Sequence, residues 1–382
     1  MAAPEFPSML RRLPFLAAFA LACADPSGPS THTHQQRVLV AGTEEGAVVV
    51  DLDWRGIVRR SGPRMVAHGP AVLNGRGELF TVGRIDGGAT VIAGLDIESG
   101  LELWRTAISQ NSTPVLIDGT ELGATIVAAN PSRSEIFLWR SVRSGVVGIA
   151  GFDYNRRKVT RFIGPLVTGH RLRALASTPA TSEHPEGCLV MALDSGSQET
   201  LRAFLHVVCG SDYQQRDSVR LASPSRFVVQ MELLPDNRHL LVMSDIDLLK
   251  FDVGTFAVTL KATRPMVAPF FVSRATGRVI IPDVGSSVVA STGIIYLLDA
   301  NLELSSVIDL RVLPFGERPL GILGAEESLD GKWLYLVAGV SRDGPLYGPE
   351  ATHILVIDKS TGLVEDRVDL DTFGGIRAVL VP

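Results

Sequence analysis

Residues 329–362 read LDGKWLYLVAGVSRDGPLYGPEATHILVIDKSTG, and this stretch contains the pattern that decides the fold. A turn at Asp330 and Gly331 leads into one apolar run, and a second run, ILVID, ends at Asp358 before the turn DKSTG. Gly permits a positive φ, and an Asp side chain can cap its own turn by accepting backbone N–H bonds. Short apolar runs bounded by such turns predict β-strands.

Apolar runs that end in Asp recur along the chain, roughly 40–60 residues apart, and turn-then-strand elements precede most of them. The runs end at Asp51, Asp96, Asp153, Asp252, Asp299 and Asp358, with a weaker one at Asp212. A repeat of this length with several strands per unit is typical of β-propeller blades. The sequence therefore predicts an all-β fold over residues 37–382, namely a seven-bladed β-propeller of four-stranded antiparallel blades.

The two ends of this region complete each other in the predicted fold. Residues 37–61 supply three strands of a blade, and the chain ends in a lone strand within residues 374–382 (GGIRAVLVP). If the C-terminal strand joins the first blade, the ring closes and no sheet edge stays open. We therefore predict closure of the propeller by the C-terminal strand.

Two kinds of turn carry a resemblance to known repeats. The turns DIESG at 96–100 and DKSTG at 358–362, with DGKWLY at 330–335, resemble the YVTN-type repeats of seven-bladed bacterial propellers. Residues 95–104 (LDIESGLELW) resemble the quinoprotein-type repeat. The resemblance covers nearly all of residues 37–382 and implies the fold. It implies no single function, because such propellers include enzymes, assembly factors and binding scaffolds.

The N-terminus is typical of an export signal. Arg11 and Arg12 precede a ten-residue apolar run at 13–22, which is too short to span a bilayer as a helix. The run ends in Ala-Leu-Ala-Cys23 and resembles a bacterial lipobox, in which the Cys is lipidated. We predict a lipoprotein signal peptide at 1–22, lipidation of Cys23 and a flexible tether at 23–36. Cleavage by an ordinary signal peptidase and a misassigned N-terminus are the alternatives.

This N-terminus predicts an extracytoplasmic protein, in the periplasm or at the cell surface, attached to a bacterial membrane by its lipid anchor only. The composition limits the partners further. The 382 residues are 46% hydrophobic and 20% charged, which excludes a disordered chain. With 36 basic and 41 acidic residues, the net charge of −5 argues against a nucleic-acid partner.

Two cysteines remain once Cys23 is assigned to the anchor. Cys188 and Cys209 lie at matching distances from a turn at 194–200, in a strand–turn–strand pattern. Cross-strand neighbours are close enough for a disulfide, and an oxidising compartment favours one. We predict a disulfide between them, and the alternative is a pair of buried free thiols.

The sequence contains no recognisable catalytic set. The recurring Asp residues suit structural turns, and no two of the eight His residues have the i, i+4 spacing of a metal site. No nucleophile elbow, phosphate loop or dinucleotide motif is present. We therefore predict no catalytic residue, no metal and no cofactor.

Cationic residues recur in the segments that join the last strand of one blade to the first strand of the next. In propellers these segments lie on one face, around the central channel, so that inward-pointing cations would attract an anion. The alternative is that each cation lies on the rim, solvated or paired with a local acid. The predicted channel-mouth residues are Arg64, His68, His170, Arg173, Arg226, Arg264, Arg318 and Arg377.

These observations favour a non-enzymatic binding scaffold for a protein partner or a small anionic ligand. A lactonase-like hydrolase that acts on an acidic sugar lactone is an alternative, implied by the resemblance to propellers. A quinoprotein-like dehydrogenase is a weaker one, because only one blade carries the Trp-ending repeat.

Overall fold

The computed structural model describes most of the chain beyond residue 36. The described ranges are 37–43, 46–52, 55–62, 64–65, 72–74, 77–85, 87–97, 99–111, 113–123, 126–141, 147–163, 170–195, 202–209, 214–220, 228–263, 270–284, 291–311, 318–341, 351–370 and 379–381. The predicted signal peptide, the tether and Cys23 lie outside these residues and stay predictions.

The described residues form strands and turns and contain no helix, and so none that could cross a membrane. The first half of the chain contains β1 (Arg37–Thr43), β2 (Gly46–Asp51), β3 (Gly56–Ser61), β4 (Arg64–Met65), β5 (Val72–Leu73), β6 (Glu78–Arg84), β7 (Thr90–Asp96), β8 (Glu102–Gln110), β9 (Thr113–Pro114), β10 (Leu116–Ile117), β11 (Thr120–Glu121), β12 (Ile126–Ala129), β13 (Glu135–Ser141), β14 (Val147–Asp153), β15 (Lys158–Ile163) and β16 (His170–Ser177).

The second half contains β17 (Cys188–Ser195), β18 (Arg202–Cys209), β19 (Gln214–Arg220), β20 (Val228–Leu233), β21 (His239–Ser244), β22 (Asp247–Asp252), β23 (Val258–Thr263), β24 (Phe271–Val272), β25 (Val279–Val284), β26 (Ser291–Leu298), β27 (Leu304–Asp309), β28 (Arg318–Glu327), β29 (Trp333–Ser341), β30 (Ala351–Asp358), β31 (Leu363–Leu370) and β32 (Val379–Val381).

Within the described residues, these strands form seven antiparallel sheets and one small hairpin, β10–β11. Sheet 1 has the order β3-β2-β1-β32, and sheet 2 has the order β4-β6-β7-β8-β9 with β5 also paired to β6. Sheets 3 to 7 are β12–β15, β16–β19, β20–β23, β24–β27 and β28–β31, each in sequence order. The all-β prediction is therefore confirmed, and six of the seven sheets have four strands.

Sheet 2 departs from the predicted four strands. Its first-strand position is divided between β4 and β5, which pair with opposite ends of β6. At the other edge, Asn111 adopts a positive φ of 47° and the chain turns back, so that β9 pairs with the end of β8. Beyond Pro114, Val115 N donates a further hydrogen bond to Ile108 O at 2.8 Å.

Burial follows the position of each strand within its sheet. The third strand of sheet 2, β7, is buried at six of its seven positions, whereas the fourth strand β8 largely alternates between half-buried and exposed positions. A strand buried on both faces needs a neighbouring layer on each side, and an alternating strand has one face in solvent. The inner strands therefore lie between two neighbouring sheets.

Six apolar clusters provide these layers, and each cluster joins two sheets that follow one another. The clusters join sheets 2 and 3, 3 and 4, 4 and 5, 5 and 6, and 6 and 7. The sixth joins sheet 7 to sheet 1, where Tyr335 and Val356 pack with Val48 and Val50. Sheets 1 and 2 contact each other through β1 and β4.

The C-terminal strand pairs with the N-terminal one. β32 is antiparallel to β1, with Leu39 opposite Val381 and Ala41 opposite Val379. This pairing places the last strand in sheet 1, which residues 37–61 leave with three strands.

The Asp-ended runs behave as turn caps. Asp96 Oδ1 accepts a hydrogen bond from Ser99 N at 2.7 Å, and Asp252 Oδ1 accepts from Gly254 N and Thr255 N at 3.0 Å each. Asp153, Asp299 and Asp358 cap the equivalent turns of sheets 3, 6 and 7. The structural interpretation is confirmed for these five residues, and Asp212 lies outside the described residues.

Candidate functional site

The antiparallel order of the sheets places the segments that leave the four-stranded sheets at one end. A chain that enters by the first strand of a four-stranded antiparallel sheet and leaves by the fourth returns to the end where it began. The connections that leave sheets 3 to 7 have six to eight residues. We call this end of the sheets the connection end, and the opposite end, with the Asp-capped turns, the turn end.

Three of the predicted cationic residues begin the first strands of their sheets. Arg64, His170 and Arg318 are the first residues of β4, β16 and β28, so their main chains lie at the connection end. The first strands also contact one another along the series, as β12 contacts β16 and β16 contacts β20. These three residues therefore lie at the same end of their respective sheets. His68, Arg226, Arg264 and Arg377 lie outside the described residues.

Arg173 shows what one of these cations contacts. The register between β16 and β17 shifts between Leu172 and Ala174, so Arg173 is the extra residue of a β-bulge. Bulges re-aim a side chain, and they are common beside binding sites. The Arg173 Nε lies 2.5 Å from Asp194 Oδ2, and the Asp194 side chain is only 1% exposed. Arg173 is therefore paired with a local acid, as the alternative interpretation of the cations predicts.

Two buried acids accompany the cations at this end. Asp194 shares a face of β17 with Val190 and Ala192, and Asp247 shares a face of β22 with Leu249, so both face the interface between sheets 4 and 5. Lys261 Nζ lies 2.9 Å from Asp247 Oδ2. The Oδ1 atoms of both acids are buried and have no hydrogen-bond partner among the described residues.

The connection end therefore combines fixed acids with cations, and its charge is less one-sided than the cationic residues alone predict. Sequence reasoning missed Asp194, which falls in a stretch that reads as a turn. The available signal was the alternation along the strand: Asp194 lies on the same face as two core residues, Val190 and Ala192.

The turn end contains a different group of buried charges, between sheets 6 and 7. Glu327 is 0% exposed and accepts hydrogen bonds from Lys359 Nζ and Thr276 Oγ1, while Arg278 Nη1 lies 3.4 Å away. Burial raises the pKa of the adjacent Glu326, and the positive charge of Arg274 opposes that rise. These ion pairs join the turns of two sheets, which indicates a structural role.

The predicted cysteine pair lies at the turn end of sheet 4. Cys188 begins β17 and Cys209 ends β18, and the register places them directly opposite each other. The structure joins them by a disulfide with a Cα–Cα distance of 4.3 Å. Both side chains are 1% exposed, within the cluster that joins sheets 4 and 5.

Repeated four-stranded antiparallel sheets that pack in series are typical of propellers. The fold is of the β-propeller type. No protein-family model and no curated protein matches the sequence.

Solved structures resemble the chain at low sequence identity. A functionally unknown protein from Desulfotomaculum acetoxidans DSM 771 has a TM-score of 0.54 and 12% identity, over 91% of this chain and 99% of that one. A putative 6-phosphogluconolactonase from Bacteroides uniformis ATCC 8492 has a TM-score of 0.49 and 13% identity, over 91% of this chain and all of that one.

A third similar structure is the dihydro-heme d1 dehydrogenase NirN in complex with DHE, with a TM-score of 0.49 and 15% identity. The similarity covers 90% of this chain and 66% of the dehydrogenase. At such identities a likeness indicates the fold alone, and function must be argued from the site.

Proposed function

We propose that the seven sheets form a closed seven-bladed propeller and that its connection end binds an anionic ligand or a protein partner. Closure is supported by the pairing of β32 with β1 and by the apolar cluster between sheets 7 and 1. The first strands would then surround a channel, since each is an edge strand of its sheet and several contact the first strand of the next sheet.

Deleting residues 379–382 tests closure. The deletion removes the three residue pairs between β32 and β1. We expect it to lower the free energy of unfolding by about 2 kcal/mol, because each ladder hydrogen bond contributes roughly 0.5–1.5 kcal/mol. Urea unfolding measures the change, with deletion of Pro382 alone as the control. Equal stability of the two deletions would contradict closure by β32.

The observation that carries the binding proposal is the position of Arg64, His170 and Arg318. Each begins a first strand at the connection end, where six short connections meet in the proposed ring. A cleft lined with one sign of charge focuses potential, and Arg offers carboxylate or phosphate a two-pronged donor. Arg173 contributes little net charge to such a site, because Asp194 neutralises it.

Arginine substitutions test this proposal. We compare the double variant Arg64→Ala and Arg318→Ala with a control double variant at the turn end, Arg156→Ala and Arg238→Ala. The two control side chains are 80% and 74% exposed, and both double variants change the charge by the same amount. The probes are inorganic phosphate, citrate and a sugar phosphate, and the readout is the thermal midpoint.

A ligand at about 100 times its Kd stabilises a protein by about 2.7 kcal/mol. We expect at least one probe to raise the midpoint of the wild type and of the control double variant, and to leave the midpoint of the connection-end double variant unchanged. If no probe distinguishes the two double variants, the anion-binding proposal is wrong. The lactonase-like and quinoprotein-like alternatives stay predictions from the sequence.

A further inference from the structure

His184 lies in the segment that joins β16 to β17, at the turn end of sheet 4. Its carbonyl oxygen accepts hydrogen bonds from Thr181 N and Gly187 N, each at 2.9 Å, and its own N–H donates to Thr181 Oγ1 at 3.0 Å. The backbone around His184 is therefore held by three local hydrogen bonds.

The same segment is attached to the neighbouring sheet. Ala180 N donates to Ser132 Oγ at 2.7 Å, and Arg133 Nη2 lies 2.6 Å from Glu186 Oε1. These contacts fix the segment on both sides of His184. A site whose supporting backbone is already ordered loses less entropy when it binds a ligand.

The His184 side chain meets the disulfide. A ring nitrogen of His184 and the Sγ atoms of Cys188 and Cys209 all lie within 4.8 Å of one another. Cys188 follows His184 by four residues at the start of β17, and the strand register adds Cys209. The His184 side chain is partly exposed, whereas both sulfur atoms are buried. An ion that enters from solvent would therefore reach the imidazole first.

We propose that reduction of this disulfide creates a Cys2His site for a zinc-class ion, with Cys188, Cys209 and His184 as its ligands. A dithiol reductant supplies two electrons and two protons, becomes a cyclic disulfide itself and leaves two thiols on the protein. The divalent ion then displaces both thiol protons and accepts one imidazole nitrogen.

Imidazole and thiolate are the donors that zinc prefers, and water completes sites that have three protein ligands. In a tetrahedral zinc site, Zn–S bonds of about 2.3 Å place the two sulfur atoms about 3.8 Å apart. The two sulfur atoms must therefore move apart when the disulfide is reduced and the ion binds. Disulfide and bound metal exclude each other, because both use the same two sulfur atoms.

Cobalt titration of the reduced protein tests the site. Protein reduced with dithiothreitol and desalted without oxygen is titrated with Co²⁺, which reports thiolate ligation by a charge-transfer band in the near ultraviolet. We expect one equivalent of Co²⁺ to bind, Zn²⁺ to displace it, and the oxidised protein to give no band.

His184→Ala tests the third ligand, with His239→Ala in sheet 5 as the matched control. Loss of a partner outside the ligand shell already costs about 10–100-fold in metal affinity. His184→Ala is therefore expected to weaken Co²⁺ binding by at least about tenfold, while His239→Ala leaves it unchanged.

Three results would overturn the proposal: a reduced, folded protein without the band, equal affinity in His184→Ala and the wild type, or loss of the fold on reduction. Far-ultraviolet circular dichroism of the reduced protein distinguishes the first result from the third. None of these outcomes bears on the anion proposal, since this cluster lies at the turn end.

Discussion

Replacing Lys359 with Met is expected to lower the free energy of unfolding by about 3 kcal/mol. Lys359 Nζ pairs with Glu327, and the two side chains are 9% and 0% exposed. Removing one partner of a buried ion pair costs about 3–5 kcal/mol, because the other charge stays buried without compensation. Arg278 lies 3.4 Å from the same carboxylate, which places the expected loss at the lower end of that range.

Urea unfolding of Lys359→Met measures this loss, and Lys158→Met is the control. Lys158 is exposed at the start of β15, and surface substitutions of this kind usually change stability by less than about 0.5 kcal/mol. Equal stability of the two variants would mean that the ion pair contributes nothing.

A double variant separates the ion pair from simple loss of packing. With Glu327→Gln added, Lys359→Met no longer leaves a buried carboxylate without its lysine. We therefore expect the double variant to be more stable than the sum of the two single losses predicts. Strict additivity would show that the two side chains act independently.

The second large effect is expected from the disulfide. Replacing both Cys188 and Cys209 with Ala should lower the free energy of unfolding by about 3 kcal/mol, because the bond closes a loop with a sequence separation of 21 residues. A closed loop of this size restricts the unfolded chain and so lowers its entropy. The measurement is urea unfolding without reductant.

Reduced wild-type protein is the comparison for this variant. It keeps both buried sulfur atoms and lacks only the bond, so similar stability of the two would assign the loss to the crosslink. A double variant as stable as the oxidised wild type would show that the crosslink does not stabilise the fold.

Local sequence patterns predicted much of the fold. The runs that end at Asp96, Asp252 and Asp358 end as strands, and the side chains of these Asp residues cap the turns that follow. The matching distances of Cys188 and Cys209 from their turn predicted the register that places them opposite each other.

The sequence did not predict the side-chain partners at the candidate sites. No local sequence pattern indicates three of these contacts. They are the Arg173–Asp194 pair at the β-bulge, the Lys359–Glu327 pair and the cluster of His184 with two cysteines. The spacing pattern used to search for metal sites requires two histidines four residues apart. This cluster contains one histidine and two cysteines, which the strand register brings together. Nor did the repeat indicate the extra strands of sheet 2.

By itself, the sequence determined most of the strands, their turns and the four-stranded unit of six sheets, since these depend on residues close along the chain. Tertiary structure alone decided which polar side chains meet across strands and sheets and which of them are buried. The Arg173–Asp194 and Thr276–Glu327 contacts join side chains 21 and 51 positions apart, and they depend on strand register and on how neighbouring sheets pack.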